Sequence, residues 1–423
     1  MSSSSQALLT RRAFLKASVA LTGASVLTLL NGCSPSFKAL QESRAFQAPV
    51  RVGLLLPSQY PKLAAHVLDG FRTYATTAAV RQIEMVVQEV GLGPYDAYRG
   101  AASLLDQQQP DLLFALINPA LTSSFYELLE ERQTSLLIAD LGANVPDLSK
   151  TSPYVNLHSL GLWQAHFALG SRLGAQGMRR AVLVSSFYDS GYDGVYAFRH
   201  GFERAGGEVV ASLVSHRPID PNEHLAAMMD EIRALNPDLV YLVASGRDAQ
   251  EFTQAFFAAS LAERIPLASA SYHLGAQPVA GLADVSTIAP WSPSLANPEN
   301  QDFLARFEAE TGRPADLFSL LGYESALLID AALVEAGGSL QRKSDFQAAF
   351  RKLRVGGPRG ELAFDELSAS MQGPLYVGSI KQQSSGLYYD LQTALDLPIG
   401  ASGLVSQLNA SVRSGWSNPY LFG

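Results

Sequence analysis

The stretch Arg180 to Leu213, RAVLVSSFYDSGYDGVYAFRHGFERAGGEVVASL, constrains the fold more than any other in the chain. It opens on a short apolar run, Ala181 to Val184, too short for a buried helix and rich in β-branched residues. Such a run reads as a strand buried on both faces. A polar and aromatic loop follows, Ser185 to Asp193. Val195, Phe198 and Phe202 then share one face of a helical pattern, with His200, Glu203 and Arg204 mostly elsewhere. Gly206-Gly207 stops the helix, and Glu208 to Leu213 begins a second strand. The order strand, helix, strand predicts a parallel pair, and open α/β sheets take ligands at the carboxyl ends of such strands.

The same alternation runs through most of the chain. Before the central unit, strands are expected at Val50 to Leu56, Ile83 to Val90, Leu112 to Ile117 and Ser135 to Ala139. Helices are expected at Lys62 to Ala78, Asp96 to Gln107 and Thr122 to Glu131, with Thr122 as a cap. Tyr154 to Leu157 reads as a strand leading out of this first lobe, and Leu160 to Leu173 as a helix that packs elsewhere. After the central unit the scheme repeats: helix Asn222 to Leu235, strand Leu239 to Val243, helix Ala249 to Leu261, strand Pro266 to Ala270. Val285 to Ala289 reads as a strand that re-enters the first lobe. Three helical stretches follow, at Asn300 to Thr311, Ser319 to Ala336 and Ser344 to Leu353, then strands at Gly360 to Phe364, Leu375 to Ile380 and Gly386 to Tyr389. Regular alternation with short connections predicts parallel sheets covered by helices.

At 423 residues more than one domain is expected, and a hydrophobic share of 47% supplies real cores. The first 33 residues read as an address rather than part of the fold. Arg11-Arg12-Ala13-Phe14-Leu15-Lys16 precedes an apolar run, Ala17 to Leu30, shorter than the roughly 18–20 residues of a membrane span. The Arg11-Arg12 pair resembles the twin-arginine export motif. Leu30-Asn31-Gly32-Cys33 resembles a bacterial lipobox, which implies that Cys33 is lipidated and anchors the chain to a membrane. Cys33 is the single cysteine, so intramolecular disulfides are impossible. Removing this leader takes three basic residues with it and leaves 28 basic against 39 acidic, a net charge of −11. No nucleic-acid partner is expected of so acidic a chain. Residues 34–49 read as a tether.

From Val50 to Tyr389 the chain resembles the Leu/Ile/Val-type solute-binding proteins of ABC transporters, the type I periplasmic-binding fold. The resemblance rests on Val52-Gly53-Leu54-Leu55-Leu56-Pro57, on Gly191-Tyr192 with Ala205-Gly206-Gly207-Glu208-Val209-Val210, on Asn236-Pro237-Asp238-Leu239-Val240, and on Phe303 to Ala326 with Gly357 to Phe364 beyond. It implies an α/β architecture of two Rossmann-like lobes with parallel sheets covered by helices, joined by three hinge crossings. The expected division is lobe 1 at 50–156 plus 284–365, lobe 2 at 157–283 plus 366–390, and a C-terminal extension at 391–423. It also implies an ABC permease partner and capture of a small polar or amphipathic solute, an amino acid, amide or related molecule, by hinge closure between the lobes. Members that bind α-amino acids carry Ser and Thr in the third- and fourth-strand loops, where this chain has Asn118-Pro119-Ala120-Leu121-Thr122 and Leu141-Gly142-Ala143-Asn144. A buried zwitterion needs charge-assisted partners, so a branched-chain amino acid is not the expected ligand. The alternative reading is a lipoprotein of the same fold that regulates or scaffolds the envelope, as activators of peptidoglycan synthesis do.

The strand-end loops supply the candidate ligand contacts. Ser58, Gln59 and Tyr60 fit either hydrogen bonding to a ligand or turn chemistry before Pro61. Asn118 and Asn144 fit a ligand or their own loops. Tyr188 and Tyr192 flank Asp189-Ser190-Gly191 and offer an aromatic wall with a polar tip. Ser245 follows a buried strand. Arg247 fits either a two-point carboxylate clamp or a surface pair with Asp248 or Glu251. Tyr272, His273 and Trp291 complete the set. The histidines lack metal-ligand spacing, so no metal is expected. There is no G-x-S-x-G, P-loop or His-Glu-x-x-His motif, and Gly91-x-Gly93 lacks a third glycine, so neither an enzyme nor a cofactor is expected.

Overall fold

The computed structural model describes residues 49–395 except 92, 118–122, 147–151, 216–220, 271–284, 338–342, 367–369 and 384–385. The leader with Arg11, Arg12 and Cys33, the candidates Asn118 and Tyr272, the expected cap Thr122 and the last 28 residues lie outside the described residues.

The chain builds β1 (Val50–Pro57), α1 (Pro61–Thr77), β2 (Ile83–Val90), α2 (Pro94–Gln107), β3 (Leu112–Leu116), α3 (Tyr126–Arg132), β4 (Ser135–Asp140) and β5 (Val155–Ser159). It continues through α4 (Leu162–Ala175), β6 (Arg180–Ser186), α5 (Gly194–Arg204), β7 (Glu208–Ser215), α6 (Pro221–Leu235), β8 (Leu239–Val243), α7 (Gly246–Ala258), β9 (Leu267–Ala270) and β10 (Ser286–Ala289). It closes with α8 (Pro298–Thr311), α9 (Leu317–Glu335), α10 (Lys343–Phe350), β11 (Arg354–Gly357), β12 (Gly360–Asp365), β13 (Ser370–Gln372), β14 (Leu375–Gln383) and β15 (Gly386–Leu395).

The strands form two sheets, ordered β11-β12-β13-β5-β4-β3-β1-β2 and β15-β14-β10-β9-β8-β6-β7. The chain passes between them three times, after β5, after β10 and after β13. Continuous apolar runs make these strands because both faces of each sheet are covered. In β3, Leu112, Phe114 and Leu116 face one core while Leu113 and Ala115 face another. In β4, Leu137 and Ala139 share the first core and Leu136 and Ile138 the second. This is the period-two alternation of a strand, with apolar residues on both phases. Helices α1, α8, α9 and α10 cover one face of the first sheet, and α2 and α3 cover the other. In the second sheet α6 and α7 lie on one face, α4 and α5 on the opposite one.

Helix α9 is long and apolar enough to cross a membrane by length and composition, yet most of it is buried in the protein. A capping box starts it. Asp316 Oδ1 accepts from the Ser319 amide at 2.8 Å, and Ser319 Oγ accepts from the Asp316 amide at 2.7 Å.

Five expectations about the strands and lobe boundaries need correction. Val285 to Ala289 does not re-enter the first lobe, because β10 runs parallel to β9 and antiparallel to β14 in the second sheet. The first lobe is regained at Trp291, which lies in its core, rather than at 284. The first segment of that lobe extends to Ser159, not 156, since Ser159 pairs with Asp140. Beyond 365 the chain makes one more strand in the first sheet, β13, which pairs with β5 through Ser370 and Met371. Finally, β15 runs on to Leu395, opposite Leu375, so residues 391–395 belong to the second sheet and not to an extension.

Candidate functional site

Loops at the carboxyl ends of the parallel strands bring most of the described candidates to corresponding positions in the two lobes. In the first lobe, Ser58 and Gln59 are exposed after β1. Ser58 Oγ donates to Gln59 Oε1 at 3.1 Å, and its amide donates to Val90 O at 3.0 Å. Tyr60 is half-buried against the first-lobe core and begins α1. Asn144 is half-buried in the loop after β4.

That loop is built into the first crossing. Leu141 O and Gly142 O accept from the amides of Leu162 and Trp163 at 2.9 and 2.8 Å. They satisfy first-turn donors of α4, whose cap residue Gly161 has no side chain to do so. Gly142 and Gly161 both have left-handed backbone, with φ of 75° and 72°. A Cβ on Gly142 would run into Ser159 Oγ and the Gly161 amide, and one on Gly161 into Gln164 Oε1. Asp140, the last residue of β4, is buried. Burial pushes its carboxyl up to about 7, against hydrogen bonds from the Ser159 side chain and the Gly142 backbone.

In the second lobe the organising residue is Asp189, 1% exposed, at the start of a short 3-10 turn. Its carboxylate accepts from Ser186 Oγ at 2.5 Å, from the Ser245 amide at 3.0 Å and from Ser245 Oγ at 3.1 Å. It therefore ties the loop after β6 to the loop after β8. In the sequence alone Asp189 stands only as spacing between two tyrosines. The Ser-x-x-Asp pattern at a strand end was a signal, but its partner Ser245 is 56 residues away and needs the order β8-β6 to be found.

Tyr192 is 4% exposed, whereas Tyr188 is 46% exposed and meets Phe187 edge-to-face with ring centroids 5.5 Å apart. Phe187, 56% exposed, was not among the sequence candidates. Ser245 is half-buried and held by Asp189. Arg247 takes the surface alternative: its Nε meets Glu251 Oε1 at 2.5 Å one turn along α7, with the side chain 73% exposed. Such an exposed pair contributes little to stability. Trp291 is buried, its Nε1 donating to Asn300 Oδ1 at 2.6 Å, which makes it a core residue of the first lobe.

Sequence reading also missed the buried polar group where the crossings converge. His158 Nε2 meets Glu324 Oε2 at 3.0 Å, and Arg359 Nε donates to the same oxygen at 2.9 Å. Arg359 Nη2 donates to Ser159 O at 3.0 Å, and Tyr376 Oη to Arg359 O at 2.8 Å. Gln164 at the first crossing donates to Gln372 at the third, at 2.8 Å. Burial alone would raise the Glu324 carboxyl, but Arg359 and His158 outweigh it and hold it below the ordinary range. Burial lowers His158, so the group reads as carboxylate, neutral imidazole and guanidinium. Three residues far apart in sequence carried no local pattern that marks them as a unit.

Among the described residues no cluster of His, Cys, Asp or Glu has the makings of a metal site. The strand-end loops instead offer hydroxyl, amide and aromatic groups suited to holding a small molecule.

Comparison with known proteins gives the context of this arrangement. The chain is 24% identical over 283 residues to the Leu/Ile/Val-binding protein homolog 6 of Brucella melitensis, covering 65% of this chain and 72% of that one. An ABC transporter substrate-binding protein from Sphaerobacter thermophilus superposes with a TM-score of 0.73 at 21% identity, over 82% of this chain and 98% of the other. An R. palustris solute-binding protein of an ABC transporter, solved with 4-hydroxybenzoate, superposes at 0.70 with 20% identity, over 85% and 100%. At these identities the structural likeness shows the fold. The sequence model described as periplasmic binding protein matches residues 49–386, nearly all of the described chain, and the protein accordingly belongs to the periplasmic binding protein family, whose members bind solutes outside the cytoplasm.

Proposed function

We propose that this protein is the solute-capturing component of an ABC-type uptake system, exported by its Arg11-Arg12 leader and held at a membrane by lipid on Cys33. Its permease would receive the solute from the closed form. The observation that carries this reading is the pairing of strand-end loops on two sheets joined by three crossings, in a chain of this family. Ligand contacts to both lobes favour the closed arrangement and shift the population toward it.

The chemistry of the loops narrows the ligand. Asp189 is engaged by Ser186 and Ser245, Asp193 by the Val145 amide, and Arg247 by Glu251. These three formal charges are thus met by the protein itself. The candidates toward a ligand are the hydroxyl, amide and aromatic side chains of Ser58, Gln59, Tyr60, Asn144 and Tyr188, of a kind suited to a small polar or amphipathic molecule, with Asn118 and Tyr272 as further candidates. A relative of the same fold crystallised with 4-hydroxybenzoate, and ligands of that amphipathic kind head the search.

Thermal unfolding should be measured with aromatic acids, amides, amino acids, short peptides and nucleosides. One class is expected to raise Tm by a few degrees, since saturation at a hundred times Kd adds about 2.7 kcal/mol. If no class raises Tm and the protein instead co-purifies with a peptidoglycan synthase, uptake is wrong and an envelope regulator replaces it.

A further inference from the structure

Asn144 belongs to the first lobe by sequence, yet its backbone is gripped by the second. On one side of it, Ala143 O accepts from the Asp193 amide at 3.3 Å. On the other, the Val145 amide donates to Asp193 Oδ2 at 2.8 Å. Asp193 directly precedes α5 and is 7% exposed, and its bond to the Val145 amide is partly buried. The bond to the carboxylate is charge-assisted and of the strong kind. Packing follows the same path. The Val145 side chain lies against Trp163, Phe167 and Ala197 of α4 and α5, and Ala143 lies against the second-lobe core.

We infer that Asp193 is a positioning residue: it clasps the loop after β4 to the second lobe and fixes Asn144 from both sides. The inference builds on the ligand-binding reading for the use made of Asn144, but the clasp itself is a property of the protein without ligand. The loop rides with α4 and α5, and the change of lobe falls at Gly142, next to the first crossing. Opening the lobes then either breaks the two bonds to Asp193 or bends the chain at Gly142. With both bonds in place Asn144 takes its position from the lobe opposite to its own strand.

Amide hydrogen exchange on the ligand-free full chain tests this with Asp193→Ala and Asp193→Asn. In the unaltered protein the Val145 amide is expected to exchange slowly. Asp193→Ala removes its acceptor and should speed exchange about tenfold or more, the effect of losing a hydrogen bond to a charged group. Asp193→Asn keeps an oxygen in place and should restore most of the protection. The amides of Tyr241 and Leu242 in β8 should stay unchanged in both variants. Protection of Val145 in Asp193→Ala equal to that of the unaltered protein would overturn the assignment. Equal loosening of Val145 and β8 would overturn it too, because Asp193 would then support the fold at large. Neither outcome depends on a ligand, so a failed ligand search leaves this test intact.

Discussion

Asp140 shows how a single carboxyl can work against the fold it sits in. Its ordinary value is 3.8 and burial raises it to about 7. Below the lower value it is neutral folded or unfolded. Between the two, the folded protein keeps a proton that the unfolded chain releases. Stability from this group therefore falls as pH rises across that window, and the deficit is complete above it. Asp140→Asn stays neutral at every pH and retains an oxygen for the Ser159 hydroxyl. In urea titrations at pH 8 the variant is expected to be more stable than the unaltered protein by about 1–4 kcal/mol. At pH 4 the two should nearly coincide, and a larger gain at pH 4 than at pH 8 would contradict the assignment. At this scale the sequence located the loops more surely than the contacts within them. Arg247 was open between two roles because its pair with Glu251, one turn away, is as legible as a clamp. Asp189 passed unnoticed because its hydrogen bonds reach across to a neighbouring strand.

At the scale of elements, the connection from β4 into α4 carries more constraint than its length implies. The β4 loop supplies acceptors to the first turn of α4, and Gly142 makes this possible by taking a left-handed backbone against the Gly161 amide. Gly142→Ala adds the left-handed cost of about 1–2 kcal/mol and a backbone clash on top of it. A fall in the urea midpoint equivalent to more than about 2 kcal/mol is expected, and an unchanged midpoint would show that the loop relaxes freely. The long strands and helices were legible because apolar runs and 3.6-residue periods repeat over many residues. Two short strands, β11 and β13, were not, since four and three residues carry no period. The sheet joined by β10 was misread for a related reason. A strand of four residues, three of them buried, looks the same beside either sheet.

Across the whole molecule, the His158, Glu324 and Arg359 group stands where the first and third crossings meet, linking β5, α9 and the turn before β12. Removing one member leaves the others buried without their partner, at a cost of about 3–5 kcal/mol. Glu324→Ala should lower the urea midpoint of the first lobe by that equivalent, and a change below about 1 kcal/mol would mean that water fills the gap at no penalty. The pH response has the opposite sign to that of Asp140. Glu324 is held below its ordinary value of 4.5, so its contribution is present above that pH and is lost as acid protonates the folded form. His158 is buried neutral with its value lowered from 6.5, so its contribution also fades as pH falls below that point.

The sequence by itself determined the class of fold, the alternation of its elements and the strand-end loops between them. These follow from local periodicity and from the turn chemistry between apolar runs, which a chain carries wherever it goes. Only the tertiary structure decided which sheet β10, β13 and residues 391–395 join, which carboxylates the protein itself occupies, and that Asn144 is set in place by the lobe across from its own. Several of those outcomes depend on partners far along the chain, 48 residues away for Val145 with Asp193 and 166 for His158 with Glu324. No local pattern encodes such distances, because the free energy of burying a polar group is fixed by whatever the fold happens to bring beside it.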